Sequence, residues 1–315
     1  MRRTAVLLMG PTGAGKSDLA IRLAERLPLE IVSVDSALVY RGMDIGTAKP
    51  SAETRARVAH HLIDIRDPAA SYSTGEFVRD AAAAMHKIWQ NGRQPLLVGG
   101  TMLYFHALTE GIAELPEGDP AVRAAIDVLA SEQGWCAVHQ ELARVDPAAA
   151  ARIHVNDPQR IQRALEVYRI TGETITGLQQ QRRSPFGDIA VIECVVAPLV
   201  RSELHARLER RFRGMLAGGL LEEVRGLYER SNLTAEHPSM RAVGYRQLWR
   251  HLAGHCTLEE ASRNAIVATR QLAKRQFTWL RRRCGAQWFD SMHPKVAEQI
   301  LDALSKSVFA EWTPK

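Results

Sequence analysis

Gly10-Pro-Thr-Gly-Ala-Gly15-Lys16-Ser17 carries the spacing G-x-x-x-x-G-K-[ST]. A loop of this kind bends tightly at its glycines and turns backbone amides inward to cradle phosphate oxygens. It adds one lysine charge and offers a hydroxyl to Mg²⁺. Gly10, Pro11, Thr12, Gly13, Ala14, Gly15, Lys16 and Ser17 are therefore expected to hold a di- or triphosphate, with Ser17 as the metal contact. Many nucleotide hydrolases with such a loop also hold Mg²⁺ through an acid that closes a later apolar strand. Here the best candidate, Leu96-Leu-Val98, closes with Gly99-Gly100-Thr101. The missing carboxylate argues against ATP turnover and leaves open a phosphate compound that is not a nucleotide. Asp35 ends another apolar run and suits a general base, a metal ligand or a turn residue. Thr101 suits a helix N-cap as well as a substrate contact.

A second group of residues points to a polyanion. Arg270, Lys274, Arg275, Arg281, Arg282 and Arg283 alternate with Phe277 and Trp279, with no acid between Arg270 and Arg283. That pattern fits a backbone track with stacking platforms, and equally a solvated helix face over core aromatics. Arg160, Arg163, Arg182, Arg183, Arg207, Arg210, Arg211 and Arg213 repeat the theme. His251 and His255 are spaced as half a metal site on a helix, with no third ligand nearby.

These residues need a frame, and the hydrophobic pattern supplies one. Residues 4 to 9 form an apolar run before the glycine loop, and Leu19, Ala20, Leu23, Ala24 and Leu27 follow at helical spacing. Ile31 to Val34, Pro95 to Val98 and Ile189 to Ala197 read as further buried strands, with a helix over 74 to 90 between the second and third strands. Strands alternating with helices predict a P-loop-type parallel sheet flanked by helices, an α/β fold whose ligands bind at the carboxyl ends of the strands. Gly10, Asp35 and Gly99 then converge on one edge. From about 120 to 181 the pattern is purely helical, which predicts an all-helical insertion. The expected division is a core over 1–118, the insertion over 119–187, and the rest of the core, with basic C-terminal helices, over 188–315. Long helices are expected over 201 to 230 and 258 to 283, and a last amphipathic one over 294 to 308.

The bulk properties agree with this division. The chain has 315 residues, 46% of them apolar and 24% charged, which suffices for a sizeable core and excludes disorder as the main theme. No apolar run is long enough for a bilayer span, and the short apolar stretch after Met1-Arg-Arg lacks a cleavage site, so a cytoplasmic protein with no membrane partner is expected. Cys136, Cys194, Cys256 and Cys284 form no C-x-x-C pair, so neither a zinc site nor a disulfide framework is signalled. The net charge of +6 favours an acidic partner. Arginine outnumbers lysine 34 to 7, which suits phosphate recognition but would also follow from a GC-rich genome.

Taken together, the blocks resemble the tRNA dimethylallyltransferase (isopentenyltransferase) family in its bacterial form, over nearly the whole chain. The resemblance rests on the phosphate loop and on Asp35-Ser-Ala-Leu-Val-Tyr-Arg-Gly-Met-Asp-Ile-Gly-Thr-Ala-Lys-Pro50. It rests further on His61-Leu-Ile-Asp64, Leu97-Val-Gly-Gly-Thr-Met-Leu-Tyr104, Asp157-Pro-Gln-Arg-Ile-Gln-Arg163, Met240-Arg-Ala-Val-Gly-Tyr-Arg246 and Lys274-Arg-Gln-Phe-Thr-Trp-Leu-Arg281. The loop reads Thr-Gly-Ala-Gly where many relatives have Thr-Ala-Ser-Gly, and Ser17 replaces the more frequent threonine; both changes keep the chemistry. The zinc finger of eukaryotic relatives is absent.

The resemblance implies transfer of a dimethylallyl group from dimethylallyl diphosphate to the exocyclic amine (N6) of the adenosine just 3′ of the anticodon. The phosphate loop would then hold a diphosphate leaving group, with Mg²⁺ near Ser17. Lys16 and Arg211, carried over from Arg-Phe-x-x-Met at 211 to 215, would neutralise its charge; nearby Arg207 competes for Arg211's role. Asp35 would be the base and Thr101 would orient the flipped adenine. RNA contacts are implied for Asp35, Ser36, Ala37, Leu38, Thr101, Arg123, Gln159, Arg160, Ile161, Gln162, Arg163, Arg241, Ala242, Val243, Gly244, Tyr245 and Arg246. The same holds for Lys274, Arg275, Gln276, Phe277, Thr278, Trp279, Leu280 and Arg281. The partner is the tRNA anticodon stem-loop, met by a monomer. A small-molecule kinase with this loop, or an RNA-binding protein that senses a nucleotide, are the competing expectations.

Overall fold

The computed structural model describes residues 3–113, 115–180, 182–307 and 309. Six parallel strands form one sheet: β1 (Thr4–Met9), β2 (Leu29–Val34), β3 (His60–His61), β4 (Gln94–Gly99), β5 (Ala190–Ala197) and β6 (Gln287–Asp290), in the order β3-β2-β4-β1-β5-β6. The central strands β1, β2 and β4 are buried along their whole length because helices cover both faces, and most of their side chains are apolar. Pairing sets Val34 and Met9 each beside Gly99. Hence Gly10, Asp35 and Gly100, one residue further on, share the carboxyl edge where ligands of such sheets bind.

One face is closed by α1 (Lys16–Ala24) and α13 (Val296–Ser307), whose Leu19, Leu23, Ile300 and Leu304 pack with Val6, Leu8, Leu96 and Val98. Another core element is α3 (Thr74–Gln90), capped at Ser73 by a reciprocal Ser73–Glu76 box. Its Phe77 stacks on Tyr104 of α4 (Met102–Glu110) at 4.0 Å between ring centroids. A short helix α2 (Ala52–Arg57) precedes β3.

The chain forms two compact units, one of Met1–His106 with Asp188–Lys315 and one of Ala107–Gly187. The second is helical: α5 (Pro120–Val145), α6 (Pro147–Arg152), α7 (Pro158–Thr171) and α8 (Ile175–Gln179). α5 breaks at Gly134, whose φ of 79° no other helical residue tolerates cheaply. Ile126, Val138, Leu142, Ile161 and Leu165 form its core.

The expected helix over 201 to 230 is two helices, α9 (Arg201–Ala217) and α10 (Leu220–Tyr228), because Gly218-Gly219 stops the first and Gly219, at φ 98°, starts the second at a new angle. A 3-10 turn (Pro238–Arg241) and α11 (Tyr245–Leu252) precede α12 (Leu258–Leu280), which ends three residues before the expected 283. The edge strands β3 and β6 were not expected, since neither carries a buried apolar run. No helix among the described residues is long and apolar enough to cross a membrane.

Candidate active site

The phosphate loop is built by glycines that no other residue replaces freely. Gly13 and Gly15 sit at φ 78° and 82°, and a Cβ on Gly10 would lie 2.1 Å from the Val196 carbonyl. Gly15 is the N-cap of α1 and supplies no side-chain acceptor, so the first-turn amides of α1 are offered to an anion. Lys16 Nζ donates to Pro11 O at 2.8 Å, which curls the side chain back over the loop. Ser17 is exposed on the same turn.

Asp35 stands at the end of β2. Its Oδ1 accepts the amides of Ala37 at 2.8 Å and Leu38 at 3.4 Å, while Oδ2 takes no hydrogen bond among the described residues. The turn and the reactive reading are therefore compatible, since one oxygen serves each. Thr101 accepts the Ser36 amide on its hydroxyl at 3.1 Å and donates its own amide to Val34 O at 3.3 Å. The residue thus joins the end of β4 to the end of β2. Gln276, on α12, accepts the Thr12 amide at 2.8 Å and donates to Gly100 O at 2.8 Å. It is a buried clamp between the phosphate loop and the end of β4, where the sequence block suggested an RNA contact.

A cavity of about 630 Å³ opens here, with Lys16, Ser17, Asp18, Asp35, Arg207, Arg211 and Gln276 in its lining, while Thr101 stands behind it and holds the strand ends together. Both arginines of α9 reach it, so Arg207 and Arg211 are partners there rather than rivals. Burial lowers Lys16 to about 8, with Asp35 pulling it up and Arg211 pushing it further down. Burial likewise lowers Arg211, with Asp35 opposing and Arg207 reinforcing the effect. Cations held this close while partly desolvated leave the cavity short of negative charge, which a diphosphate supplies.

The expected RNA contacts divide by burial. Ile161 and Leu280 are fully buried core residues and Tyr245 is buried as well, so these three present no surface to RNA; the correction follows from their place on the inner faces of α7, α12 and α11. Phe277 packs beside Leu204, Leu208 and Ala273, with Arg281 over its ring, as a helix-face aromatic. Trp279 leans on His106 at 5.6 Å. Arg123 and Arg163 grip the fully buried Glu166 at 2.7 and 2.6 Å, and Gln162 donates to Asp127. Gln159, Arg160, Arg241, Arg246, Lys274, Arg275, Thr278 and Arg281 are exposed, with Arg160 near Asp157 at 3.3 Å. Ala242 and Val243 are half-buried, and Gly244 is buried. His251 bonds the Cys256 carbonyl, and no His/Cys/Asp/Glu group among the described residues is placed to hold a metal by itself. Asp18 and the clamp role of Gln276 escaped the sequence reading, because each depends on a contact with a distant segment.

The sheet, the glycine loop at its carboxyl edge and the cation-lined cavity define an α/β enzyme of the P-loop type. The family model described as IPP transferase matches residues 38–283, and the chain belongs to that family. A curated tRNA dimethylallyltransferase of Nitrosococcus oceani is 56% identical over 299 residues, covering 95% of each chain. The solved full-length tRNA isopentenylpyrophosphate transferase of Bacillus halodurans is 35% identical, with a TM-score of 0.72 over 98% of both chains. A eukaryotic dimethylallyltransferase solved acting on tRNA is 25% identical, with a TM-score of 0.82 over 99% of this chain and 81% of that one.

Proposed function

We infer that the protein transfers the dimethylallyl group of dimethylallyl diphosphate to N6 of the adenosine 3′-adjacent to the tRNA anticodon, giving N6-dimethylallyladenosine and diphosphate. Kinship with the relatives supports this transfer and not the kinase or nucleotide-sensing alternative. The observation that carries the mechanism is the shared cavity: a carboxylate with a free oxygen, Asp35, faces a phosphate loop flanked by Lys16, Arg207 and Arg211.

In the reaction the allylic C–O bond breaks, the N6–C bond forms, and one proton leaves N6. The loop amides, Lys16 and the two arginines stabilise the charge that gathers on the departing diphosphate. Asp35 Oδ2 takes the proton. A carboxylate is too weak a base for the free amine, but bonding to an allylic cation acidifies the nitrogen and makes the transfer downhill. Thr101 holds the Asp35 turn through Ser36 and orients the adenine edge. Ser17 Oγ and Asp18 are hard oxygen donors in the cavity lining and would hold Mg²⁺. When bound there, the ion supplies further positive charge to the leaving group.

The flipped adenosine is delivered by an anticodon stem-loop held on exposed basic residues, Arg241, Arg246, Lys274, Arg275 and Arg281. The protein acts as a monomer on this RNA. Single-turnover transfer by Asp35→Asn tests the base assignment. We expect the rate to fall by roughly 10²–10⁴-fold with tRNA affinity retained. A near-normal rate would remove Asp35 from that role.

A further inference from the structure

Segment 43–50 forms neither helix nor strand, yet its Ile45, Thr47 and Ala48 line the cavity. A wall made of loop has to be held from behind. Glu223, half-buried on α10, accepts the backbone amides of Asp44 at 2.8 Å, Ile45 at 2.7 Å and Gly46 at 3.1 Å. The same carboxylate accepts the hydroxyl of buried Tyr245 at 2.5 Å. Consecutive amides turned toward one point form the kind of concave site that usually takes a ligand anion, and here a side chain fills it. Gly46 lies flat on the Tyr245 ring: a Cβ there would come within 2.5 Å of it. Burial and the Glu223 charge push the Tyr245 phenol far above its ordinary value, so it remains a donor. At the other end Lys49 Nζ, its side chain 3% exposed, binds Asp44 at 2.6 Å, Asp64, and the Tyr40 carbonyl at 2.8 Å.

The cavity has two kinds of lining. Lys16, Arg207 and Arg211 supply its charge, while Leu38, Ile45, Val98 and Met215 supply apolar lining. An allylic donor has the same two halves, a charged diphosphate and an apolar hydrocarbon whose permitted length depends on where the apolar wall stands. Ile45 is backed by the start of α10, with its Cδ1 3.6 Å from the Cβ position of Gly219. Its backbone is the one Glu223 pins.

We propose that Glu223 is a positioning residue that fixes Ile45 as the chain-length stop of the allylic pocket. This rests on the transfer reading above. Because Tyr245 shares the carboxylate, the segment 241–246 is tethered to the same wall.

The test compares dimethylallyl diphosphate with geranyl diphosphate, one isoprene unit longer, as donors to tRNA, for wild type, Glu223→Gln and Ile45→Ala. The amide side chain of Glu223→Gln keeps the volume but presents donors where acceptors are needed. Ile45→Ala should shift the ratio of kcat/KM toward the longer donor by roughly 10–100-fold, the range expected when a hydrophobic pocket gains room. Glu223→Gln should shift it in the same direction by roughly tenfold, raising KM for the short donor more than it lowers kcat. Inhibition by inorganic diphosphate, which reads the phosphate loop alone, should stay as in wild type. Unchanged discrimination in Ile45→Ala overturns the proposal, even if Glu223→Gln does not fold. A folded Glu223→Gln that loses both donors and the inhibitor in parallel also overturns it, since that is the mark of a merely structural residue. If wild type transfers neither donor while still binding diphosphate, the underlying reading fails and the inference goes with it.

Discussion

Lys16 links diphosphate binding to pH. Its ammonium is needed to meet the anion, and burial brings its proton loss down to about 8 in the free protein. A bound diphosphate favours the charged form, so binding takes up a proton above that value. Above about 8, affinity for inorganic diphosphate should therefore fall, by up to roughly tenfold per pH unit, as Lys16 loses its proton. Isothermal titration across this range reads the slope, and Lys16→Arg should abolish it because a guanidinium keeps its proton. An unchanged slope in that variant would assign the pH dependence to another group. The two arginines separate in the same assay. Arg211 faces the Lys16 and Asp35 charges, whereas Arg207 also leans on Met292 at 3.9 Å. Arg211→Ala should lower kcat by roughly 10²–10³-fold, as expected for loss of a donor aimed at transition-state charge, and Arg207→Ala by clearly less. Equal losses would make the pair interchangeable.

Gln276 shows how an element can carry a role its neighbours in sequence conceal. It lies within the basic block of α12, yet both its polar atoms are spent on Thr12 N and Gly100 O. Gln276→Leu leaves those two backbone groups unpaired, at a cost of about 1–3 kcal/mol each, and frees the phosphate loop. KM for the allylic diphosphate should rise while KM for tRNA holds; the reverse pattern would return Gln276 to the RNA surface. In the helical unit, Glu166 gathers the Asp119 amide, Arg123 and Arg163 with no exposed surface of its own. These partners hold its carboxyl below the usual carboxylate range against an opposing burial effect. The sign follows directly: the stabilisation is present above the unfolded pKa and is lost as pH falls through the lowered folded value. Glu166→Ala should cost about 3 kcal/mol, the low end for a broken buried pair because both guanidiniums reach solvent. Hydrogen exchange of α5 to α8 measures this, and an unchanged exchange rate would contradict it.

Across the whole chain, what could be read in advance was what local pattern encodes. The apolar runs of β1, β2, β4 and β5 and the glycine loop specify a parallel sheet with a phosphate site, because continuous burial and tight turns leave marks on neighbouring residues. β6 lacks such a mark: Gln287 and Trp288 are exposed, and only its pairing with β5 makes it a strand. The Gly218-Gly219 break was visible as residues but not as an angle. Lys16 was legible in the spacing of the glycine loop, Asp35 as an acid closing an apolar run, and Arg211 only through the resemblance of its block; the structure brings all three to one cavity. The Glu223 contacts were not legible, since a lone acid on an amphipathic helix gives no spacing that points to residues 44–46.

The most direct measurement is mass spectrometry of nucleosides from unmodified tRNA incubated with the protein, Mg²⁺ and dimethylallyl diphosphate, without ATP. The account predicts an adenosine heavier by one isoprenoid unit, and its loss with Lys16→Ala. A complete tRNA pool left unmodified by folded protein that still binds diphosphate would contradict the transfer.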